Sequence, residues 1–457
     1  MMNNQKKDLL LTAIKLVLIA MDAVCFAYIW YAYYANNLFI PYYLRGNLAI
    51  IAVFCIVYIA FGHLYQAFDV KTNRAASLVY SHVIASFMTG ITMFFLLWLL
   101  IRHMPRILPM VHGFCLWSFM SLIWAKPASL VTRKLYPPTP TVLIYDNIAA
   151  YYKGVKITKR VDWRFKVIGE ISVDEGDIAV YAYLKKKKAE AVMLCGIHSS
   201  QRNDILKYCI RKNIVVYIRP NIGDYLVNSS KSLQMEHLPV LLAQRSAPSM
   251  FYAISKRLFD IVFSLLVMIL LSPVLLVTAF LIKVHDGGPV LYSQERLTRN
   301  GRPFMIYKFR SMRTDAEKDG VARLAQVDDD RITPIGKFIR ATRIDEMPQM
   351  INILKGDMSV VGPRPERPEI SAQYEEEMPE FELRLQVKAG LTGYAQVHGQ
   401  YNTSPYDKLQ MDLMYIAKQS IFMDLRIILE TIKVVFLPES SEGIGEDEIT
   451  AFDREKL

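Results

Sequence analysis

Four apolar runs fill the first part of the chain, at Leu9–Tyr34, Asn47–Phe68, Leu78–Ile101 and Ile107–Ala125. Each is about 19–26 residues, long enough to cross a hydrocarbon core of about 30 Å, so the chain must satisfy its backbone as helices there. Tyr28, Trp30, Tyr31, Tyr33 and Tyr34 crowd the end of the first run, as an interfacial aromatic belt does. Lys6 and Lys7, then Lys71 and Arg74, then Lys126, Arg133 and Lys134 fall on one side, against Arg45, Arg102 and Arg106 on the other. That bias puts both ends of a four-helix transmembrane bundle, residues 1–135, in the cytoplasm. Asp22, alone within the first run, is expected to be paired inside the bundle or to lie near an interface.

A hydrophobic share of 53% agrees with membrane segments, and a net charge of +11 suits an anionic lipid surface or phosphorylated substrates. No nucleic-acid-binding motif accompanies the charge, so no nucleic-acid partner is expected. Cys25, Cys55, Cys115, Cys195 and Cys209 form no CxxC pair or zinc spacing, and no disulfide framework is expected. The first run lacks a small-residue cleavage site, so no cleavable signal peptide is expected.

Pro137, Pro138 and Pro140 mark a linker. Strands expected at Thr141–Tyr145, Phe165–Glu170, Ala191–Cys195 and Ile214–Ile218, with a helix at Asp204–Arg211, suggest a parallel α/β sheet within residues 136–248. A dinucleotide site would need a GxGxxG loop after the first strand. Asp146, Asn147 and Ile148 stand there instead, so this Rossmann-like domain is expected to hold no nucleotide. Lys185–Lys188 reads as a solvated face, and the domain as scaffolding or regulatory. Ser246–Pro248 forms the next boundary, and residues 249–437 the last domain. Beyond it, residues 438–457, with Glu439, Glu442, Glu446, Asp447 and Glu448, read as a disordered acidic tail.

A fifth apolar run, Ile261–Ile282, is also long enough to span, but crossing would carry everything after Lys283 outside with no later run to return it. Ser272-Pro273 sits near its middle. There proline removes a backbone hydrogen bond, and the serine hydroxyl can satisfy the carbonyl that is freed. A bent helix over about residues 258–284, entering and leaving on one face, resolves the conflict and would place Lys256, Arg257 and Lys283 together among headgroups. Met347, Met350, Ile351 and Leu354 form one apolar helix stripe, and Ile421, Phe422, Leu425, Ile428, Leu429, Ile432 and Val435 another; both suit either ordinary core packing or, beside a re-entrant helix, shallow membrane contact.

The chemistry concentrates in Arg340–Asp357, RATRIDEMPQMINILKGD, and Val361–Glu366, VGPRPE. Pro348 suits a first helical turn, which places Asp345 and Glu346 at or just before a helix N-terminus. Adjacent carboxylates point apart, so one can attack phosphorus while the other positions a metal or takes a proton. Arg340, Arg343, Lys308, Arg310 and Arg364 can neutralise a pyrophosphate, and the prolines flanking Arg364 preset its guanidinium. Oxygen ligands make Mg²⁺ the natural metal, held by Asp345 and Glu346.

Together KRLFD at Lys256–Asp260, Ser272-Pro273, YKFRSM at Tyr307–Met312, RITPIGKFIR at Arg331–Arg340, IDEMPQ, LKGDMSVVGPRP and GLTGYAQVHG at Gly390–Gly399 resemble the bacterial sugar transferase family, the monotopic phosphoglycosyl transferases, in its long multi-span branch. The resemblance implies transfer of hexose-1-phosphate from a UDP-hexose (glucose or galactose in many long members) to undecaprenyl phosphate at the cytoplasmic face of the bacterial inner membrane. This would be the first membrane step of capsule, exopolysaccharide or O-antigen assembly. It further implies that Asp345 attacks the β-phosphorus and releases UMP, with Glu346 as its dyad partner and Arg340 and Arg364 holding phosphate. Lys256, Arg257, Ser272 and Pro273 would shape the re-entrant helix, and the long branch implies a homodimer. A direct ternary-complex transfer and a catalytically decayed scaffold are the competing readings. The family's usual PGITGW-like stretch is AGLTGY here, with Ala389 and Tyr394 in place of proline and tryptophan.

Overall fold

The computed structural model describes residues 4–38, 41–245, 248–313, 331–399 and 403–435. The expected acidic tail and most of the Ser246–Pro248 boundary lie outside these residues. The chain forms two compact units, Met1–Arg219 and Pro220–Leu457.

The first unit opens with α1 (Asn4–Ile29), α2 (Leu44–Leu64), α3 (Ala75–Ile101) and α4 (Ile107–Leu135), which pack side by side. Five described helices in all, the fifth being Met250–Asp286, are long and apolar enough to cross a membrane. Phe26 stacks on Phe54 at 4.3 Å and Phe54 on Trp117 at 5.3 Å, forming the aromatic centre of the helical core. Asp22 is fully buried and pairs with His82 at 2.8 Å, so the lone carboxyl has a partner inside the core. The expected aromatic belt divides. Tyr28, Tyr31 and Tyr33 are exposed, but Trp30 and Tyr34 face the core, where they donate to Asn47 Oδ1 and to the Arg106 carbonyl. Consecutive residues of a helix cannot share one face, and Trp30–Tyr34 form a single wide π turn.

The unit continues through β1 (Thr139–Tyr145), α5 (Ile148–Arg160), β2 (Phe165–Ser172), α6 (Asp177–Lys187), β3 (Ala191–Cys195), α7 (Ser199–Arg211) and β4 (Val215–Ile218). The strands form one parallel sheet in the order β2-β1-β3-β4. Val142, Leu143 and Ile144 of β1 and all of β3 are buried, as strands covered by helices on both faces require. In the β1–α5 turn the Asn147 side chain accepts from the Ala150 N–H at 2.8 Å, so α5 is capped by its own chain.

The second unit begins before the expected boundary. After Pro220 the chain forms α8 (Ile222–Asn228), whose Ile222 is buried in the second unit's core and not against the sheet. A hairpin of β5 (Lys231–Met235) and β6 (Leu238–Leu242) follows, then α9 (Met250–Asp286). Next come antiparallel β7 (Leu291–Leu297) and β8 (Pro303–Phe309), α10 (Pro334–Ala341), α11 (Gln349–Lys355) and β9 (Ser359–Val361). The unit closes with α12 (Pro368–Glu377), β10 (Gly390–Thr392), α13 (Tyr394–His398), α14 (Pro405–Ala417) and α15 (Ile421–Val435). The whole is a membrane-type α/β protein with many apolar helices.

The two apolar stripes behave differently. Met350 is buried and Met347 packs on the core, so the first stripe turns inward: α11 is only 7 residues and lies between β8 and α9. On α15 the buried face carries Asp424, Ile427 and Glu430, while Phe422 is 85% exposed and Leu425 is also exposed. A helix that hides its carboxylates and shows its apolar side has the polarity of a membrane-facing element.

Candidate active site

Thr333 caps α10, its hydroxyl accepting from the Gly336 N–H at 2.9 Å, with Pro334 at the first helical position. A Cβ on Gly336 would strike the Ser311 carbonyl, so glycine lets α10 lie against the end of β8. Arg340 lies in the last turn of this helix, and Arg343 takes a left-handed backbone (φ 59°) that turns the chain into a single 3₁₀ turn, Ile344–Glu346. Asp345 and Glu346 therefore stand just ahead of Pro348 and α11, as the sequence predicts.

Glu346 is buried, and its Oε1 accepts from Lys308 Nζ and Arg364 Nη2, each at 3.1 Å. Burial alone would raise its carboxyl, but the Lys308, Arg364 and Arg343 cations outweigh that and hold it well below the ordinary range. Asp345 differs. Burial and the neighbouring Glu346 charge push it up to about 6, against Lys308, Arg340 and Arg343. Its Oδ1 is buried without a hydrogen-bond partner. The dyad is thus split into a fixed carboxylate and one with an unpaired oxygen among cations, the pattern that separates chemical roles.

Lys308 is lowered by burial despite Glu346. Strand β8, which carries it, is locked to α11 by fully buried Asn352: its Nδ2 donates to the Met305 carbonyl at 2.7 Å and its Oδ1 accepts from the Tyr307 N–H at 3.0 Å. Arg310, also expected at substrate, stands just past the end of β8 and pairs with Asp286 at the end of α9.

The Arg364 loop is held carbonyl by carbonyl. Pro363 O accepts from Gly390 N at 2.8 Å, Arg364 O from Arg384 Nη2 at 2.9 Å, Pro365 O from Arg296 Nη1 at 3.1 Å, and Glu366 O from Leu297 N at 3.1 Å. Arg384, itself 4% exposed, is fixed by Asp412 through Nε at 2.9 Å and Nη2 at 2.8 Å. A Cβ on Gly390 would strike the Gly362 N and one on Gly362 the Lys388 carbonyl, which explains both motif glycines by backbone contact. Sequence reading missed Arg296, Asn352, Arg384 and Asp412. Asn352 sits inside a motif already noted, but the others carry no local spacing signal. At the departure from AGLTGY's usual form, the Ala389 N–H donates to Thr298 Oγ1 at 3.2 Å, a bond proline could not make, and Tyr394 packs on the His398 ring at 4.2 Å.

No group of three or more potential metal-ligating side chains occurs among the described residues. The buried unpartnered Oδ1 of Asp345 beside Glu346 still fits Mg²⁺, which commonly takes one or two carboxylates and completes its shell with water and substrate phosphate.

A long apolar helix precedes a carboxylate dyad ringed by cations in this unit, and the sequence places the chain within one family. The profile of the bacterial sugar transferases matches residues 251–438, and the chain belongs to that family. It is 44% identical to the exopolysaccharide production protein PSS of Rhizobium leguminosarum over 188 residues, 39% of this chain and 92% of the relative. It is 40% identical to the UDP-N-acetylgalactosamine-undecaprenyl-phosphate N-acetylgalactosaminephosphotransferase of Aeromonas hydrophila over 233 residues, 50% of this chain and 54% of that one. With the UDP-glucose:undecaprenyl-phosphate glucose-1-phosphate transferase of Klebsiella pneumoniae it shares 39% identity over 232 residues, half of each chain. The match thus spans about half the length of these last two relatives.

Proposed function

We propose that the chain transfers hexose-1-phosphate from a UDP-hexose to undecaprenyl phosphate, at the start of capsule, exopolysaccharide or O-antigen assembly. The observation that carries this reading is Asp345: half-buried, with a buried and unpartnered Oδ1, and raised to about 6, hence a carboxylate at neutral pH. A carboxylate oxygen of Asp345 attacks the β-phosphorus. The bond from that phosphorus to the bridging oxygen breaks, and UMP leaves with the electron pair. An oxygen of undecaprenyl phosphate then attacks the phosphosugar-aspartyl phosphorus, and Asp345 departs as carboxylate. Arg364 and Arg340 hold phosphate oxygens, while Lys308 and Arg364 keep Glu346 ionised beside them. Mg²⁺ held by Asp345 and Glu346 would neutralise charge on the phosphates.

Helix α9 would enter and leave the cytoplasmic face of the inner membrane. Straight, its 37 residues would extend about 55 Å. Yet both ends belong to the second unit. Lys256 pairs with Asp424 near the start, while Ile282 packs with Phe309 and Ile339 and Asp286 pairs with Arg310 at the finish. Ser272 Oγ donates at 2.7 Å to the Ile269 carbonyl, the one that Pro273 leaves without its helical donor. Leu266, Ile269, Leu270, Leu276 and Phe280 between them are exposed.

The test is UMP release from a panel of UDP-hexoses by the full chain in lipid, with intact-protein mass spectrometry. Wild type should gain one hexose phosphate and Asp345→Asn none. Release without any trapped adduct would favour direct transfer, and no release from any UDP-hexose would end the reading. A reporter after Lys283 should report the cytoplasm.

A further inference from the structure

The charged turn at the start of α9 was expected among lipid headgroups, but its side chains turn into the protein. Lys256 Nζ reaches Asp424 Oδ2 of α15 at 2.8 Å. Arg257 Nη1 and Nη2 donate to the Ile353 and Leu354 carbonyls at 2.6 and 2.8 Å, in the last turn of α11, where carbonyls run short of helical donors. Asp260, 3% exposed, accepts at one oxygen, Oδ1, from Ser359 Oγ and from the Val360 N–H of β9, both at 3.1 Å. Those partners are the two arms of the site: α11 follows directly on Asp345 and Glu346, and β9 runs directly into the Arg364 loop. We propose that Arg257 and Asp260 are positioning residues that clamp the two arms to one turn of the membrane helix and thereby set the 3.1 Å contact between Glu346 and Arg364.

Two features support a clamp over a lipid anchor. Asp260 is an acid, which headgroup phosphates would repel, and its hydrogen bonds are all to protein. Gly356 (φ +92°) follows α11 beneath Arg257, where any Cβ would lie 3.5 Å from Nη2. The same region meets the loop a second way: Tyr415 OH donates to Asp424 Oδ1 at 2.8 Å and lies 3.2 Å from the Val361 carbonyl.

The inference rests on the dyad and Arg364 being the reacting site, so it is tested with two separable readouts on the full chain in nanodiscs. In UMP release, Asp260→Leu should lower kcat about 10²-fold, as a misplacement of about 1 Å does, with KM for UDP-sugar within about threefold. Asp260→Asn, which keeps the acceptor oxygen, should restore most of kcat, and Arg257→Gln should fall between. In an Arg364→Ala background Asp260→Leu should cost little more, because that arm then carries nothing to position. Equal losses in Asn and Leu variants, or fully additive losses with Arg364→Ala, would overturn the clamp. The second readout needs no activity: amide exchange over residues 359–364 should quicken in Asp260→Leu and not in Asp260→Asn, and unchanged exchange would overturn the clamp as well. A wild type that releases no UMP refutes the transferase reading alone, leaving the exchange result to decide the clamp.

Discussion

Arg364→Lys isolates what the guanidinium contributes beyond its charge. In the structure one terminal nitrogen, Nη2, holds Glu346, and the side chain is 44% exposed, leaving the rest of the fork available. Of five donors, a lysine could replace the charge and the Glu346 contact but not a planar pair of bonds to a phosphate. Two charge-assisted hydrogen bonds at about 1.5 kcal/mol each amount to about 3 kcal/mol, or roughly a hundredfold in kcat/KM. Folding should be nearly unaffected, because Lys308 remains on Glu346 at 3.1 Å and the loop carbonyls keep their donors. The assay is initial-rate UMP release against UDP-sugar concentration, with thermal unfolding as the control. A variant within about threefold of wild type would refute a phosphate-gripping Arg364. So would a loss matched by an equal fall in thermal stability.

Other outcomes follow from the same geometry. Because Asp345 titrates at about 6 and must be ionised to attack, kcat/KM should fall about tenfold per pH unit below that value and level off above it; a flat profile from pH 5 to 8 would contradict the nucleophile role. Gly390→Ala drives a Cβ into the Gly362 backbone and should abolish activity and lower the unfolding temperature, a rare severe effect for one methyl group. Phe422→Glu places a charge on the exposed apolar side of α15 and should weaken lipid-dependent activity while leaving the fold's thermal stability in detergent within a degree or two.

Much of this was legible from local pattern. Apolar runs long enough to cross a bilayer follow from hydropathy, β3 from its unbroken AVMLC run, and the dyad's placement from Pro348, since each depends on neighbours in sequence. Motif order located the enzyme-like unit. Local pattern failed where a residue's surroundings come from elsewhere in the chain. Trp30 and Tyr34 read as belt residues but face a core built by other helices, and Met350, which by pattern suits core or membrane alike, packs inside. Lys308 and Arg310 are two residues apart, yet only tertiary contacts give the second to Asp286 and the first to Glu346.

From the residues alone follow helices that satisfy their own backbones in an apolar medium, and the nearness of Asp345 and Glu346 to Arg340 and Arg343. Tertiary contacts set which carboxylate is held and which keeps an unpaired oxygen. That outcome depends on desolvation and on cations brought from positions 308 and 364, quantities that no stretch of neighbouring residues contains. Tertiary structure likewise decided that Lys256, Arg257 and Asp260 turn inward, because their partners at Asp424, Ile353, Leu354 and Val360 arrive only when the chain folds back on α9.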